Sequence, residues 1–196
     1  MDEHFADWLG KRGRLLYLPV ASTPKAGGYA QHRAWIDSVF LPLGVTDIQM
    51  WTDLSRHQPE PLETFGAVYI GGGNTFTLLH LLRASGLDLA LKTFAMNGGA
   101  IYGGSAGAIL LGADIASCER DDSNTAGLTD TRGLNLLGGT DIWCHYTPDQ
   151  RETVQTYTDT SGRSILALPE RGGLCVENGV VRSAGFEACQ SILPSR

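Results

Sequence analysis

The sequence predicts one α/β domain over residues 1–196, built as a three-layer α/β/α sandwich around a mostly parallel sheet. Apolar runs of four to seven residues alternate with longer amphipathic segments, as buried parallel strands and their crossover helices do. A length of 196 residues with 42% hydrophobic content suits one domain with a sizeable core. Near the carboxyl end, Asn178-Gly179 between two further runs predicts an antiparallel hairpin.

The individual elements follow from the same alternation. Strands are predicted for "RLLYLPVA" (14–21), "VTDIQMW" (45–51), "GAVYIGG" (66–72), "GAIYGGS" (99–105), "TDIWCHY" (140–146), "SILALP" (164–169) and the hairpin pair "GLCVEN" and "VVRSAG". Helices are predicted over 3–11, 29–42, 75–84, 87–97, 105–112 and 149–160. Ligands of such open sheets bind beyond the carboxyl ends of the strands. The residues there are Ser22, Thr23, 71–75, Ser105, His145 and Glu170.

Composition and charge exclude several classes of function. The net charge is -6, and the Lys and Arg residues form no basic stripe, so we expect no nucleic-acid partner. Apolar runs such as "ILLGADIA" are far shorter than the roughly 20 residues of a membrane helix, and "MDEHFADW" is acidic where a signal peptide would be basic. We therefore expect a cytoplasmic protein without a membrane partner. The four cysteines show no C-x-x-C spacing, so we expect buried free thiols and no metal.

The stretch "AIYGGSAGAILLG" carries the strongest chemical signal. Gly103, Ser105 and Gly107 satisfy G-x-S-x-G between a predicted strand and a predicted helix, the setting of a nucleophile elbow. Such a turn strains the serine backbone and needs small neighbours, because other chain segments approach it closely. The helix that follows would direct its free N–H groups at developing negative charge. The alternative is that Ser105 only caps a helix.

A second glycine turn lies in "YIGGGNTFTLLHLL", residues 69–82. Its amides can complete an oxyanion hole beside Ser105, with Gly72 or Gly73 donating one N–H group and Ala106 the other. The alternative is a phosphate cradle. This alternative is disfavoured because G-x-x-x-x-G-K-[ST] is absent and Phe76 stands where G-x-G-x-x-G needs its third glycine.

A serine nucleophile needs a base and usually a carboxylate that orients the base. Among the five histidines, His145 alone ends a predicted strand, on the same rim as Ser105. The others lie in predicted helices or a polar loop: His4, His32, His57 and His80. For the carboxylate, Glu170 at a strand end is preferred, and Asp121 and Asp122 in "CERDDSNTAG" remain alternatives.

Taken together, the motifs resemble peptidase family S51, the dipeptidase E family that also includes cyanophycinase. The matching segments are "LLYLPVAS", "VYIGGGNTFTLLHLL", "GGSAGAILLG", "CHYTPDQR" and "LALPE", in the family's order. The resemblance implies a fold similar to class I glutamine amidotransferases and a cofactor-independent serine exopeptidase acting on short peptides. It also implies that Ser105 is the nucleophile, His145 the general base and Glu170 its orienting acid. The order Ser, His, acid differs from that of α/β-hydrolases, whose acid precedes the histidine.

Some positions depart from the family pattern. The dipeptidase E motif usually has Asn where Gly104 stands, so strict preference for N-terminal Asp does not follow. The family normally opens with a further strand before the helix matched by "EHFADWLGKRG", and a homodimer is one way to supply it. Arg151 and Asn74 are candidate substrate-binding residues, although Arg151 equally suits a helix surface. Alternative functions are a cyanophycinase-like or other acyl hydrolase, and a catalytically inactive binding protein.

Overall fold

A computed structural model describes residues 1–10, 13–22, 28–55 and 61–195. The predicted site residue Thr23 and the predicted loop histidine His57 lie outside the described residues. Within the described residues the structure confirms the α/β prediction, with a parallel central sheet, helices on both sides and an antiparallel hairpin.

The central sheet contains four parallel strands. These are β1 (Arg14–Leu18), β2 (Asp47–Met50), β3 (Ala67–Ile70) and β4 (Ala100–Gly103), in the order β2-β1-β3-β4. A second sheet holds β5 (Asp141–Trp143) and β6 (Ile165–Ala167), which are parallel, and β9 (Gln190–Ile192), which is antiparallel to β6. The predicted hairpin consists of β7 (Gly172–Glu177) and β8 (Val180–Gly185). No ladder joins β4 to β5 among the described residues.

Six α-helices accompany the strands. They are α1 (Asp2–Leu9), α2 (Ala30–Phe40), α3 (Thr75–Ser85), α4 (Leu87–Met96), α5 (Ala106–Leu111) and α6 (Arg151–Ser161). Side chains alternate across β1: Leu15 and Tyr17 pack in the cluster with α1 and α2, whereas Leu16 and Leu18 pack in the cluster with α3, α4 and α5. This alternation produces the three layers. The longest of these helices has 11 residues, and none in the described part of the chain can cross a bilayer.

An ion pair between a buried carboxylate and a partly exposed arginine anchors β5, the strand that leads to His145. The Asp141 carboxylate is fully buried and accepts hydrogen bonds from Arg163 Nε at 2.8 Å and from the Tyr157 hydroxyl at 2.9 Å. It also accepts one from the backbone N–H of Asp114 at 2.9 Å. Buried carboxylates need such partners, because an unpaired buried charge is very costly.

The observed strands end earlier than the sequence predicted. The predicted strand 140–146 is reduced to β5 because the chain leaves the extended conformation at His145, where φ is 57°. Strand β3 likewise ends before the glycine turn, and β4 ends before Ser105, where φ is 48°. The sequence analysis did not predict β9, whose three residues carry only a weak pattern. The shortened ends leave Ser105 and His145 free to turn out of their sheets.

Candidate active site

Ser105 stands at a sharp turn between β4 and α5. Its backbone angles, φ 48° and ψ −109°, are sparsely populated for a residue with a side chain. A Cβ placed on Gly103 would lie 2.5 Å from the carbonyl oxygen of Gly107, and one placed on Gly107 would overlap the carbonyl oxygen of Ile70. The turn therefore requires glycine at both flanking positions, as the G-x-S-x-G pattern predicted.

Three of the predicted residues meet in one hydrogen-bonded chain. Ser105 Oγ lies 2.9 Å from His145 Nε2, and His145 Nδ1 lies 2.5 Å from Glu170 Oε2. An ionised Glu170 can only accept, so Nδ1 carries the hydrogen and Nε2 presents its lone pair to the serine hydroxyl. This tautomer is the one that a general base at Nε2 requires.

The structure places the two alternative acids elsewhere. Asp122 accepts hydrogen bonds from the N–H of Thr75 at 2.8 Å and from its hydroxyl at 2.6 Å. Asp121 pairs with Arg120 at 2.9 Å. Glu170 is therefore the carboxylate that contacts His145.

The second glycine turn lies directly beside the serine. A Cβ on Gly72 would be 3.2 Å from Ser105 Cβ, whereas Gly73 has φ 138° and a Cβ placed on it would overlap the Ala21 carbonyl. The backbone N–H groups of Gly72, Gly73 and Ala106 donate to no acceptor among the described residues. For Ala106 the reason is its place in the first turn of α5, where N–H groups have no partner in the helix. These groups remain available to a substrate oxygen.

The two candidate substrate-binding residues make other contacts. Asn74 caps α3, since its Oδ1 accepts from the N–H of Thr77 at 2.8 Å and its Nδ2 donates to the Ser123 carbonyl at 3.0 Å. Arg151 Nη1 donates to Gln190 Oε1 at 3.3 Å. Neither residue lines the pocket described next.

A pocket of about 230 Å³ lies between β4 and β5, with Ser105, His145 and Glu170 in its wall. The rest of its wall is largely apolar: Phe5, Trp8, Tyr69, Tyr102, Ile142, Leu168 and Val176 contribute to it.

All four cysteines are free; Cys118 and Cys144 are buried as expected, whereas Cys175 and Cys189 are partly exposed. Burial raises the pKa of the Cys144 thiol to about 12. Within the described residues, no group of three or more His, Cys, Asp or Glu could hold a metal ion.

One residue near the site was missed by the sequence analysis. Arg120 donates to the carbonyl oxygen of Cys144, directly before His145, at 2.7 Å. Its guanidinium lies over the ring of Trp143, 4.4 Å from the centroid. The polar string "CERDDSN" predicts candidate acids, and nothing in its pattern predicts that its arginine contacts a backbone carbonyl.

Several known proteins resemble this chain in sequence or in fold. The family model for peptidase family S51 matches residues 1–184. Uncharacterized peptidase Lmo0363 of Listeria monocytogenes is 28% identical over 78% of this chain and 76% of its own length. Uncharacterized peptidase Lin0382 of Listeria innocua is 32% identical over 63% of this chain and 60% of its own length. A solved structure of a Listeria monocytogenes EGD-e protein, provisionally named peptidase E, superposes with a TM-score of 0.75 and 22% identity over 95% of this chain and 94% of that one. The match over residues 1–184 shows that the chain belongs to peptidase family S51.

Proposed function

We propose that this S51 peptidase is a serine exopeptidase that removes one or two residues from the N-terminus of short peptides through an acyl-enzyme. The observation that carries the proposal is the hydrogen-bonded chain from Ser105 Oγ through His145 to Glu170. Serine acyl transfer needs a serine at a strained turn, a base at hydrogen-bond distance from its hydroxyl, and a carboxylate on the far side of that base.

The chemistry follows from this arrangement. Ser105 Oγ attacks the carbonyl carbon of the scissile bond while its proton passes to His145 Nε2. The carbonyl oxygen becomes an oxyanion, which the N–H groups of Ala106 and of Gly72 or Gly73 stabilise. When the C–N bond breaks, the imidazolium returns the proton to the leaving amine. Water then attacks the ester, again with His145 as base, and releases the acid product. Glu170 stabilises the imidazolium throughout.

The preferred residue at the scissile bond is a separate question. An N-terminal aspartate would need a cation near the bond, and Arg151 at the start of α6 is our candidate, six positions after His145 in the chain. In the structure its guanidinium reaches Gln190 instead. If Arg151 recognises aspartate, Arg151→Met raises KM for Asp-X dipeptides only. An equal effect on Ala-X dipeptides would remove Arg151 from recognition.

The experiment is a panel of Asp-X, Ala-X and Leu-X dipeptides and aminoacyl chromogenic substrates, assayed with the wild type and Ser105→Ala. We expect hydrolysis by the wild type and a loss of at least about 10³-fold in Ser105→Ala. Equal hydrolysis by both proteins would exclude the serine mechanism. A wild type that cleaves only β-aspartyl-arginine peptides or esters would favour the other acyl hydrolases. A wild type without any hydrolysis would favour the inactive binding protein.

A further inference from the structure

The two halves of the catalytic chain belong to separate hydrogen-bonded sheets. Ser105 follows β4, the last strand of the central sheet, whereas His145 follows β5 of the second sheet. Because no ladder joins β4 to β5 in the described part of the chain, strand pairing does not fix the serine relative to the histidine. Direct contacts between the two sides include the N–H of Ala113, which donates to the Thr140 carbonyl at 3.0 Å, and Cys144 Sγ, which donates to the Ser105 carbonyl at 3.6 Å. Contacts from neighbouring segments add to these.

One short segment contacts both halves, and we call residues 120–123 the brace. On the side of the central sheet, Asp122 accepts from the N–H and the hydroxyl of Thr75, and the Ser123 carbonyl accepts from Asn74. These contacts hold the end of the glycine turn beside Ser105. On the side of the second sheet, Arg120 donates to the Cys144 carbonyl at 2.7 Å. The brace thus links the central sheet to the second sheet where no ladder joins β4 to β5 among the described residues.

Arg120 acts on the backbone that sets the orientation of His145. The Cys144 carbonyl and the His145 N–H share one planar peptide unit, so a bond that holds the carbonyl also restrains φ of His145. That angle is 57°, in the left-handed region that a histidine rarely adopts without support. The guanidinium is itself fixed between the ring of Trp143 and the carboxylate of Asp121, with a side chain 25% exposed.

We propose that Arg120 is a positioning residue that holds His145 in the orientation that reaches Ser105. Among the described residues, Arg120 forms no hydrogen bond with the serine hydroxyl or the imidazole; it acts through the Cys144 carbonyl. This inference rests on the proposed function, because it assigns Arg120 a role in the proton transfer from Ser105 to His145. A planar guanidinium suits the task because it can donate to a carbonyl while it lies on an aromatic ring.

The test compares Arg120→Met, which keeps an unbranched stem and removes the donors, with Arg132→Met as control. The side chain of Arg132 is 81% exposed, and its guanidinium pairs with Asp130. For Arg120→Met we expect kcat to fall about 10- to 100-fold with KM within about twofold of the wild type, because a displacement of about 1 Å costs rates of that order. Labelling of Ser105 by a fluorophosphonate should slow by the same factor. Arg132→Met should keep both rates.

A conservative variant separates positioning from a general loss of structure. Arg120→Lys retains a charged donor without the planar fork, so we expect it to recover part of kcat and of the labelling rate. If Arg120→Met does not fold, Arg120→Lys is compared with the wild type instead. We then expect a smaller fall in kcat, again at unchanged KM. The inference would be overturned if folded Arg120→Met kept the wild-type kcat and labelling rate. If only Arg120→Lys folds, the same result in that variant would overturn it. Either result would leave the proposed function intact. A wild type that neither hydrolyses peptides nor labels at Ser105 would instead contradict the proposed function.

Discussion

The close approach of β4 and α5 around the serine turn can be tested by adding one methyl group. In Gly103→Ala the new Cβ would lie 2.5 Å from the Gly107 carbonyl oxygen and 2.6 Å from the Ala108 nitrogen. Ordinary contacts begin near 3.5 Å, so α5 must move by about 1 Å. Both obstacles are backbone atoms, which places the cost near the upper end of the usual 1–3 kcal/mol for overpacking. For a chain of this size, about 3 kcal/mol corresponds to a fall in Tm of about 6–12 °C.

The assay combines thermal unfolding with the rate at which a fluorophosphonate labels Ser105. Gly71→Ala is the matched control, because its Cβ would lie 3.3 Å from the Tyr17 ring and 3.4 Å from the Leu18 carbonyl oxygen. These contacts need shifts of only a few tenths of an ångström, and we expect the variant to cost less than about 1 kcal/mol. A shift of α5 by about 1 Å should slow labelling of Gly103→Ala about 100-fold. If Gly103→Ala kept the wild-type Tm and labelling rate, the claim that backbone contact dictates glycine here would be refuted.

Three further predictions concern the acid, the ion pair and a buried thiol. Glu170→Gln should lower kcat about 10²-fold. This is less than the roughly 10⁴-fold loss known for a buried acid, because the Glu170 side chain is 74% exposed. An unchanged kcat would exclude an orienting role for Glu170. Arg163→Met removes the cation that pairs with the fully buried Asp141 carboxylate, and it should lower the free energy of unfolding in urea by about 3 kcal/mol. The Arg182 side chain is 68% exposed, so Arg182→Met should lower it by less than about 0.5 kcal/mol. Similar costs for the two would contradict the assigned burial. Because burial raises the pKa of Cys144 to about 12, its thiolate fraction at pH 8 is about 10⁻⁴, and iodoacetamide should modify it in urea but hardly in the folded protein. Equal alkylation in both states would disprove this.

The sequence was sufficient for the features that depend on local pattern. Buried runs predicted the strands, and the rule that carboxyl ends of parallel strands share a rim selected Ser105 and His145 from among many polar residues. The prediction that the serine turn needs small neighbours was confirmed, because the cause is steric and local. The Asn178-Gly179 hairpin was confirmed for the same reason.

Features that depend on the path of loops could not be predicted. The sequence favoured Glu170 because it follows a predicted strand but left Asp121 and Asp122 open, and only the fold shows that Asp122 accepts from Thr75 while Glu170 contacts His145. The hydrogen bond of Arg120 could not be predicted because its partner is a backbone carbonyl, which leaves no mark in a pattern of side chains. The separation of β4 from β5 was hidden because strand order depends on long-range pairing.

If His145 activates Ser105 as a nucleophile, mass spectrometry of the fluorophosphonate adduct will show it. At pH 7.5 we expect one adduct per chain, on the peptide that contains Ser105, and a labelling rate at least about 10³-fold lower in His145→Ala. An adduct on another residue, or labelling of Ser105 at the same rate in His145→Ala, would contradict it.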